Sequence, residues 1–149
     1  DLSRAIDNGM RMFTHLGNGC PALLPRHDNI IQRVLSLSDQ LMISFIADGH
    51  HVPGFALRNY LQQVPDDNII IVSDAINAAG LGPGKFRLSD QTVYVDPDGA
   101  TWAECRTHYA GCATPLKRMA AWLQSDLGVS PAQIHQWLCV NPARLSKGK

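Results

Sequence analysis

Ile69-Ile70-Ile71-Val72-Ser73-Asp74-Ala75-Ile76-Asn77-Ala78-Ala79-Gly80 is the stretch that decides the fold class of this chain. Its four consecutive β-branched residues show no polar alternation, which predicts a strand buried on both faces, as in a parallel sheet. The run then stops on a single acidic side chain, Asp74. A carboxylate there stands at the C-terminal mouth of a sheet, where α/β enzymes keep their chemistry. Taken alone, Asp74 suits a simple turn cap equally well.

Upstream, the same pattern appears twice more. Leu41 to Ala47 forms a second apolar run and ends at Asp48-Gly49-His50-His51, and Met10 to Thr14 forms a shorter one ending on His15. Between the runs, Ile30, Ile31, Val34, Leu35 and Leu37 recur at helical spacing over about Asp28 to Ser38. Phe55, Ala56, Tyr60 and Leu61 do so after Pro53, which suits a first helical turn. Leu2, Ala5 and Ile6 share a face in an opening helix from Asp1 that Asn8-Gly9 stops. Helix and strand therefore alternate three times, which predicts an α/β fold with parallel strands and right-handed crossovers.

Downstream of Gly80 the pattern changes. Lys85 to Leu88 and Thr92 to Val95 predict a β-hairpin around Ser89-Asp90-Gln91, with a further turn at Asp96-Pro97-Asp98-Gly99. A loop, Thr107 to Cys112, leads to a helix over about Pro115 to Ser125. Ser130-Pro131 starts a last long helix with Ile134, Trp137, Leu138 and Val140 on its buried face, and Asn141-Pro142 is expected to end it. The tail from Ser146 to Lys149 is polar and expected to fray.

Composition narrows the function classes. The 149 residues carry 13 basic and 13 acidic side chains, so no electrostatic footprint for nucleic acid or an anionic membrane is present. No apolar run is long enough to span a bilayer. The four cysteines, Cys20, Cys105, Cys112 and Cys139, form no CxxC pair. With no signal peptide ahead of them, they are expected to be reduced thiols of a cytoplasmic protein.

Three strand ends carry ionisable residues, and these are the candidates for chemistry. His15 can point into the sheet mouth as a metal ligand, although a lone histidine there is more often structural. His51 is placed to donate a hydrogen bond to a substrate carbonyl or oxyanion. Asp74 is a candidate general base toward a metal-activated water and acid toward a leaving amine. The set suggests metal-assisted hydrolysis of an amide or ester, or a sheet-mouth binding site without chemistry. Arg26 in Pro25-Arg26-His27-Asp28-Asn29 stands near a helix start and can hold an anion or pair with Asp28. Asn18 and Gly19 offer donors to a ligand or serve as turn residues. Cys112 has no basic partner to mark it as a nucleophile.

Five segments in order carry a resemblance to a known family. They are Thr14-His15-Leu16-Gly17-Asn18-Gly19, Asp48-Gly49-His50-His51-Val52, Val72-Ser73-Asp74-Ala75 with Ala78-Ala79-Gly80-Leu81, Tyr109-Ala110-Gly111-Cys112, and Asn141-Pro142-Ala143-Arg144. The chain resembles the C-terminal part of N-acetylglucosamine-6-phosphate deacetylase, of the amidohydrolase superfamily. The resemblance implies the C-terminal portion of a (β/α)8 barrel. Residues 1–80 would be its last three βα units, 81–113 an inserted hairpin and substrate loop, and 114–149 the C-terminal helices. It implies that His15 binds a catalytic divalent metal, zinc or iron, and that His51 contacts the substrate. Asp74 would be the base and acid of deacetylation, which yields glucosamine 6-phosphate and acetate.

The same resemblance assigns the sugar to Asn18 and Gly19, the phosphate to Arg26 across a homodimer interface, and the acetamido pocket to Tyr109, Ala110 and Gly111. This sequence departs from the family where Gly17-Asn18-Gly19-Cys20 replaces an aromatic residue followed by Asn-Ala-Met, and where Cys112 replaces a serine. A glutamate and a further histidine that complete the family's metal site lie on upstream strands absent here. A (β/α)8 barrel takes about 250 residues. The chain is therefore expected to be a fragment, weak or inactive alone. Another amidohydrolase acting on a cyclic or linear amide, or a non-catalytic sugar-phosphate-binding half-barrel, are the alternatives.

Overall fold

A computed structural model describes residues 2–147 of the chain. It is an α/β structure with two three-stranded sheets, one parallel and one antiparallel. The expected beginning of the first helix at Asp1 and the last two residues of the polar tail lie outside the described residues.

The opening helix α1 (Leu2–Asp7) ends as its Asn8-Gly9 signal requires. Gly9 adopts φ +96°, and Met10 and Gly9 donate back to the Ala5 and Ile6 carbonyls at 2.9 and 2.8 Å, the paired bonds of a Schellman stop. That closure takes Met10 out of the first strand. Strand β1 is accordingly only Met12–Phe13, shorter than the expected Met10 to Thr14. Helix α2 (Ile30–Leu35) is also shorter than its periodicity suggested, because the Asn29 side chain caps it by accepting from Gln32 N.

Strand β2 (Met42–Ile46), helix α3 (Gly54–Gln63), a 3₁₀ turn (Asp66–Asn68) and strand β3 (Ile69–Val72) follow. The parallel sheet runs β1-β2-β3. Met12 pairs with Met42 and Phe13 with Ile43, while Ile43 to Ile46 pair in step with Ile69 to Val72. Ile43, Phe45, Ile46 and Ile69 are fully buried, as a strand apolar on both faces demands. Trp122 of helix α4 (Leu116–Leu127) closes over the turn after β2. A Cβ on Gly49 or Gly54 would come within 3.2 or 3.3 Å of its indole.

The expected hairpin is one strand larger. Strands β4 (Gly84–Leu88) and β5 (Gln91–Val95) are joined by β6 (Thr101–Ala103), which returns through the Asp96–Gly99 turn and pairs Val93 with Ala103. Thr101-Trp102-Ala103 is too short to declare itself by alternation and needs β5 as a template.

The C-terminal helix also departs from expectation. Ser130 and Gln133 form a capping box at the start of α5 (Pro131–His135), but Asn141-Pro142 does not end the helix. A π-helical turn (Gln136–Val140) shifts the hydrogen-bond register, so that Asn141 N–H bonds Gln136 O, and α6 (Asn141–Ser146) continues beyond it. The wider turn accommodates a proline that would clash in a regular α-helix. Among the described residues no helix is long and apolar enough to cross a membrane.

Candidate functional site

Parallel pairing puts the C-terminal ends of β1, β2 and β3 on one edge of the sheet. Because Phe13 pairs with Ile43 and Val72 with Ile46, the turns that hold His15, His51 and Asp74 leave from that same edge. Two of these residues have left-handed backbones, His15 at φ +36° and Asp74 at φ +48°. Non-glycine residues adopt that region at a cost of roughly 1–2 kcal/mol, so the surrounding structure must hold them there.

The holding contacts are visible. Ser44, fully buried within β2, accepts the His15 N–H on Oγ at 2.8 Å and the Leu16 N–H on its carbonyl at 2.9 Å. The His15 imidazole leaves Nδ1 buried without a hydrogen-bond partner among the described residues. Asp74 holds its turn through the main chain: its carbonyl accepts Cys112 N–H at 3.0 Å, while its side chain is exposed.

His51 is the most tightly fixed of the three. Asp48, whose side chain is 2% exposed, accepts His51 Nδ1–H at 2.7 Å on Oδ2. Its Oδ1 takes the backbone N–H groups of His50 and His51, both at 2.9 Å, and the Cys112 thiol donates to Oδ2 at 3.4 Å. Burial is the strongest single influence on Asp48 and opposes its charge. The His51 ring and the two backbone donors together outweigh it and hold the carboxyl at about 2. Burial pushes the Cys112 thiol up to about 12, with the neighbouring Asp48 charge acting in the same sense. Cys112 is therefore a protonated donor and not a nucleophile.

The loop Tyr109-Ala110-Gly111 is secured on both sides. Ala110 N–H bonds Thr101 O on β6, while Cys112 pairs with Ala75 beyond β3. Tyr109 packs between the Trp102 and His51 rings, at centroid distances of 4.4 and 4.9 Å. Gly111 is required where it stands, since it has φ +67° and a Cβ there would lie 2.3 Å from Ile76 Cγ2. His51, Tyr109 and Gly111 are thus brought into one neighbourhood.

The turn after His15 is looser. Asn18 N–H and Nδ2 both bond the His15 carbonyl, at 2.9 and 3.3 Å, so its side chain closes the turn. Gly19 lies over the imidazole, where a Cβ would meet His15 Cε1 at 3.3 Å. Arg26 is exposed and lies in bends ahead of the Asn29 cap, not at the helix start as expected. Asp28 pairs with Arg33 and not with Arg26.

A divalent metal fits His15 as one ligand, because an imidazole nitrogen buried without a partner is what an absent donor–acceptor contact leaves behind. Among the described residues the only convergent set of three potential ligands is Asp48, His51 and Cys112. That set fits a metal poorly, since its carboxylate is already spent on four donors and its thiol is held protonated. Among the described residues, His15 alone therefore offers a buried histidine nitrogen that is not already committed to a hydrogen bond.

Sequence reasoning gave no role to Asp48 or Ser44, which fix His51 and His15. An aspartate three residues before a histidine in a strand-end turn is the local signal for Asp48, since such a side chain folds back on its own turn. Ser44 has no such signal, because only the β1–β2 register puts it beside His15.

No family model matches the sequence. The N-acetylglucosamine-6-phosphate deacetylase of Mus musculus is 39% identical over 149 residues, covering 95% of this chain and 35% of its own length. The N-acetylgalactosamine-6-phosphate deacetylase of Escherichia coli O157:H7 is 26% identical over 141 residues, 95% of this chain and 36% of its own. The crystal structure of the Thermotoga maritima N-acetylglucosamine-6-phosphate deacetylase superposes with a TM-score of 0.82 at 26% identity, covering 99% of this chain and 41% of that one. The chain thus spans about a third of the length of these curated relatives, and over that span it is similar to N-acetylglucosamine-6-phosphate deacetylases.

Proposed function

We propose that the chain is the portion of an N-acetylglucosamine-6-phosphate deacetylase that carries the catalytic acid–base residue, and that its parallel sheet is the last three strands of a (β/α)8 barrel. In this reading residues 1–80 are the barrel units, 81–113 the inserted sheet and substrate loop, and 114–149 the closing helices. The observation that carries it is the common sheet edge from which the turns of His15, His51 and Asp74 leave.

His15 would hold a divalent cation, zinc or iron, with ligands supplied from outside this chain. When bound, the cation polarises the amide carbonyl and acidifies water. Asp74 takes a proton from the water as its oxygen adds to the acetamide carbon. It returns that proton to the sugar nitrogen as the C–N bond breaks, releasing acetate and glucosamine 6-phosphate. An exposed carboxylate that makes no hydrogen bond among the described residues is free for both transfers. His51 contacts the carbonyl, Tyr109, Ala110 and Gly111 line the acetyl group, Asn18 and Gly19 meet the sugar, and Arg26 binds the phosphate in a homodimer. Four free cysteines accord with a reducing, cytoplasmic setting. The galactosamine epimer is a second substrate to test, because a relative of this span carries that name.

The test is a graft of these 149 residues in place of the matching third of the mouse enzyme, assayed for acetate release. Expected is hydrolysis of N-acetylglucosamine 6-phosphate, far slower hydrolysis of the unphosphorylated sugar, and a loss of at least about 100-fold in kcat with Asp74→Asn. A soluble graft that hydrolyses other amides equally well, or binds glucosamine 6-phosphate without turnover, would overturn the assignment.

A further inference from the structure

Asp48 carries more structure than any other polar side chain near the strand ends. Its Oδ1 is pinned by two backbone N–H groups, of His50 and His51, at 2.9 Å each. Only Oδ2 is left to meet the His51 ring, at 2.7 Å, with Cys112 Sγ at 3.4 Å on the same oxygen. An ionised carboxylate only accepts hydrogen bonds, so the proton between the two residues is on His51 Nδ1. In the neutral ring that leaves Nε2 with a lone pair; it becomes a donor only when the ring is protonated. The ring is also held in place by Tyr109, whose centroid is 4.9 Å away.

We infer that Asp48 is the positioning residue of His51: it fixes the Nδ1–H tautomer and thereby sets Nε2 as the atom offered to a ligand. The inference rests on the proposed contact between His51 and substrate for its consequence, although not for its geometry. It refines that contact. Neutral His51 accepts a hydrogen bond, from a substrate hydroxyl or N–H, and only the imidazolium donates to a carbonyl or a developing oxyanion.

The geometry makes an unusual prediction for Asp48→Asn. The two backbone donors require an oxygen at the Oδ1 position, so the new amide nitrogen must take the Oδ2 position and face the ring. It then donates to Nδ1, and the imidazole proton must move to Nε2. A merely structural aspartate would not reverse a tautomer.

The test is nitrogen-15 nuclear magnetic resonance of the histidine-labelled chain without substrate, which distinguishes a protonated from a bare ring nitrogen. Expected is Nδ1–H with bare Nε2 for neutral His51, the reverse in Asp48→Asn, and no reversal in Cys112→Ser. Nε2–H in the unsubstituted chain would overturn the inference, as would an unreversed tautomer in folded Asp48→Asn or a reversed one in Cys112→Ser. Should Asp48→Asn fail to fold, the unsubstituted chain and Cys112→Ser still decide. In the graft, Asp48→Asn should lower kcat by about 100-fold with KM changed little. An inactive graft would count against the proposed reaction while leaving the tautomer result standing.

Discussion

Single residues at the sheet edge are held by opposing forces large enough to measure. Asp48 is the sharpest case, because its folded carboxyl lies at about 2 against an ordinary value of 3.8. A depressed carboxylate stabilises the fold above its unfolded value and loses that contribution as pH falls. The contribution, about 2 kcal/mol by linkage, should be complete above about pH 4 and gone below about pH 2. Urea unfolding across that range should show the gap between the unsubstituted chain and Asp48→Asn narrowing as pH drops; a constant gap would contradict the carboxylate's role. Gly111 is constrained by shape instead of charge. Gly111→Ala adds a methyl 2.3 Å from Ile76 Cγ2 at φ +67°. It should destabilise by roughly 2–4 kcal/mol in denaturant unfolding, and an effect under 1 kcal/mol would mean the loop yields freely.

Elements are joined here by a few buried polar side chains as much as by apolar packing. Asn141, fully buried at the π turn, donates through Nδ2 to Asp66 O at 2.8 Å and to Ile69 O at 2.6 Å. Arg144 adds a bond to Asp67 O at 3.0 Å. The Asn141-Pro142-Ala143-Arg144 segment therefore clamps the C-terminal helix onto the entrance of β3, whose other end carries Asp74. Asn141→Ala takes the side-chain donor from the buried Ile69 carbonyl and from the part-buried Asp66 carbonyl, which keeps only the Ile69 N–H, and should cost about 1–3 kcal/mol. Asn141→Asp, which turns a donor into an acceptor against those carbonyls, should cost more. Calorimetric unfolding of both variants checks the order. If Asn141→Asp proved the milder, donation to these two carbonyls could not be what holds the helix in place.

At the scale of the molecule, the parallel sheet has β1 and β3 as its outer strands, and among the described residues neither has a second partner. Open strand edges attract other chains, and Phe55 and Leu23 are exposed at 76% and 93%. The chain alone should accordingly associate as its concentration rises, measured by light scattering, and should bind zinc or iron well below one equivalent. A monodisperse monomer holding one metal per chain and releasing acetate would show that the site needs nothing beyond these residues. The three-strand alternation, the positions of α3 and α4 and the strand-end residues were legible in the sequence, because periodicity and turn residues act over a few neighbours. Strand β6 and the continuation past Pro142 were not. The first exists only where β5 offers an edge, and the second only because a register shift absorbs the proline.

The sequence by itself determined which segments are strands buried on both faces and which ionisable residues follow them. Four β-branched residues ending in Ser73-Asp74 admit few other placements, and the motif order carried the resemblance to the deacetylases. Only the tertiary structure decided what those residues touch. Parallel pairing sets Ser44 against His15, the returning loop carries Cys112 to Asp48, and a turn of three residues aims one carboxylate at His51. These contacts span 29, 64 and 3 positions of chain. The two long ones depend on register and loop closure, which no local pattern encodes, and the short one depends on a burial that only the assembled sheet provides.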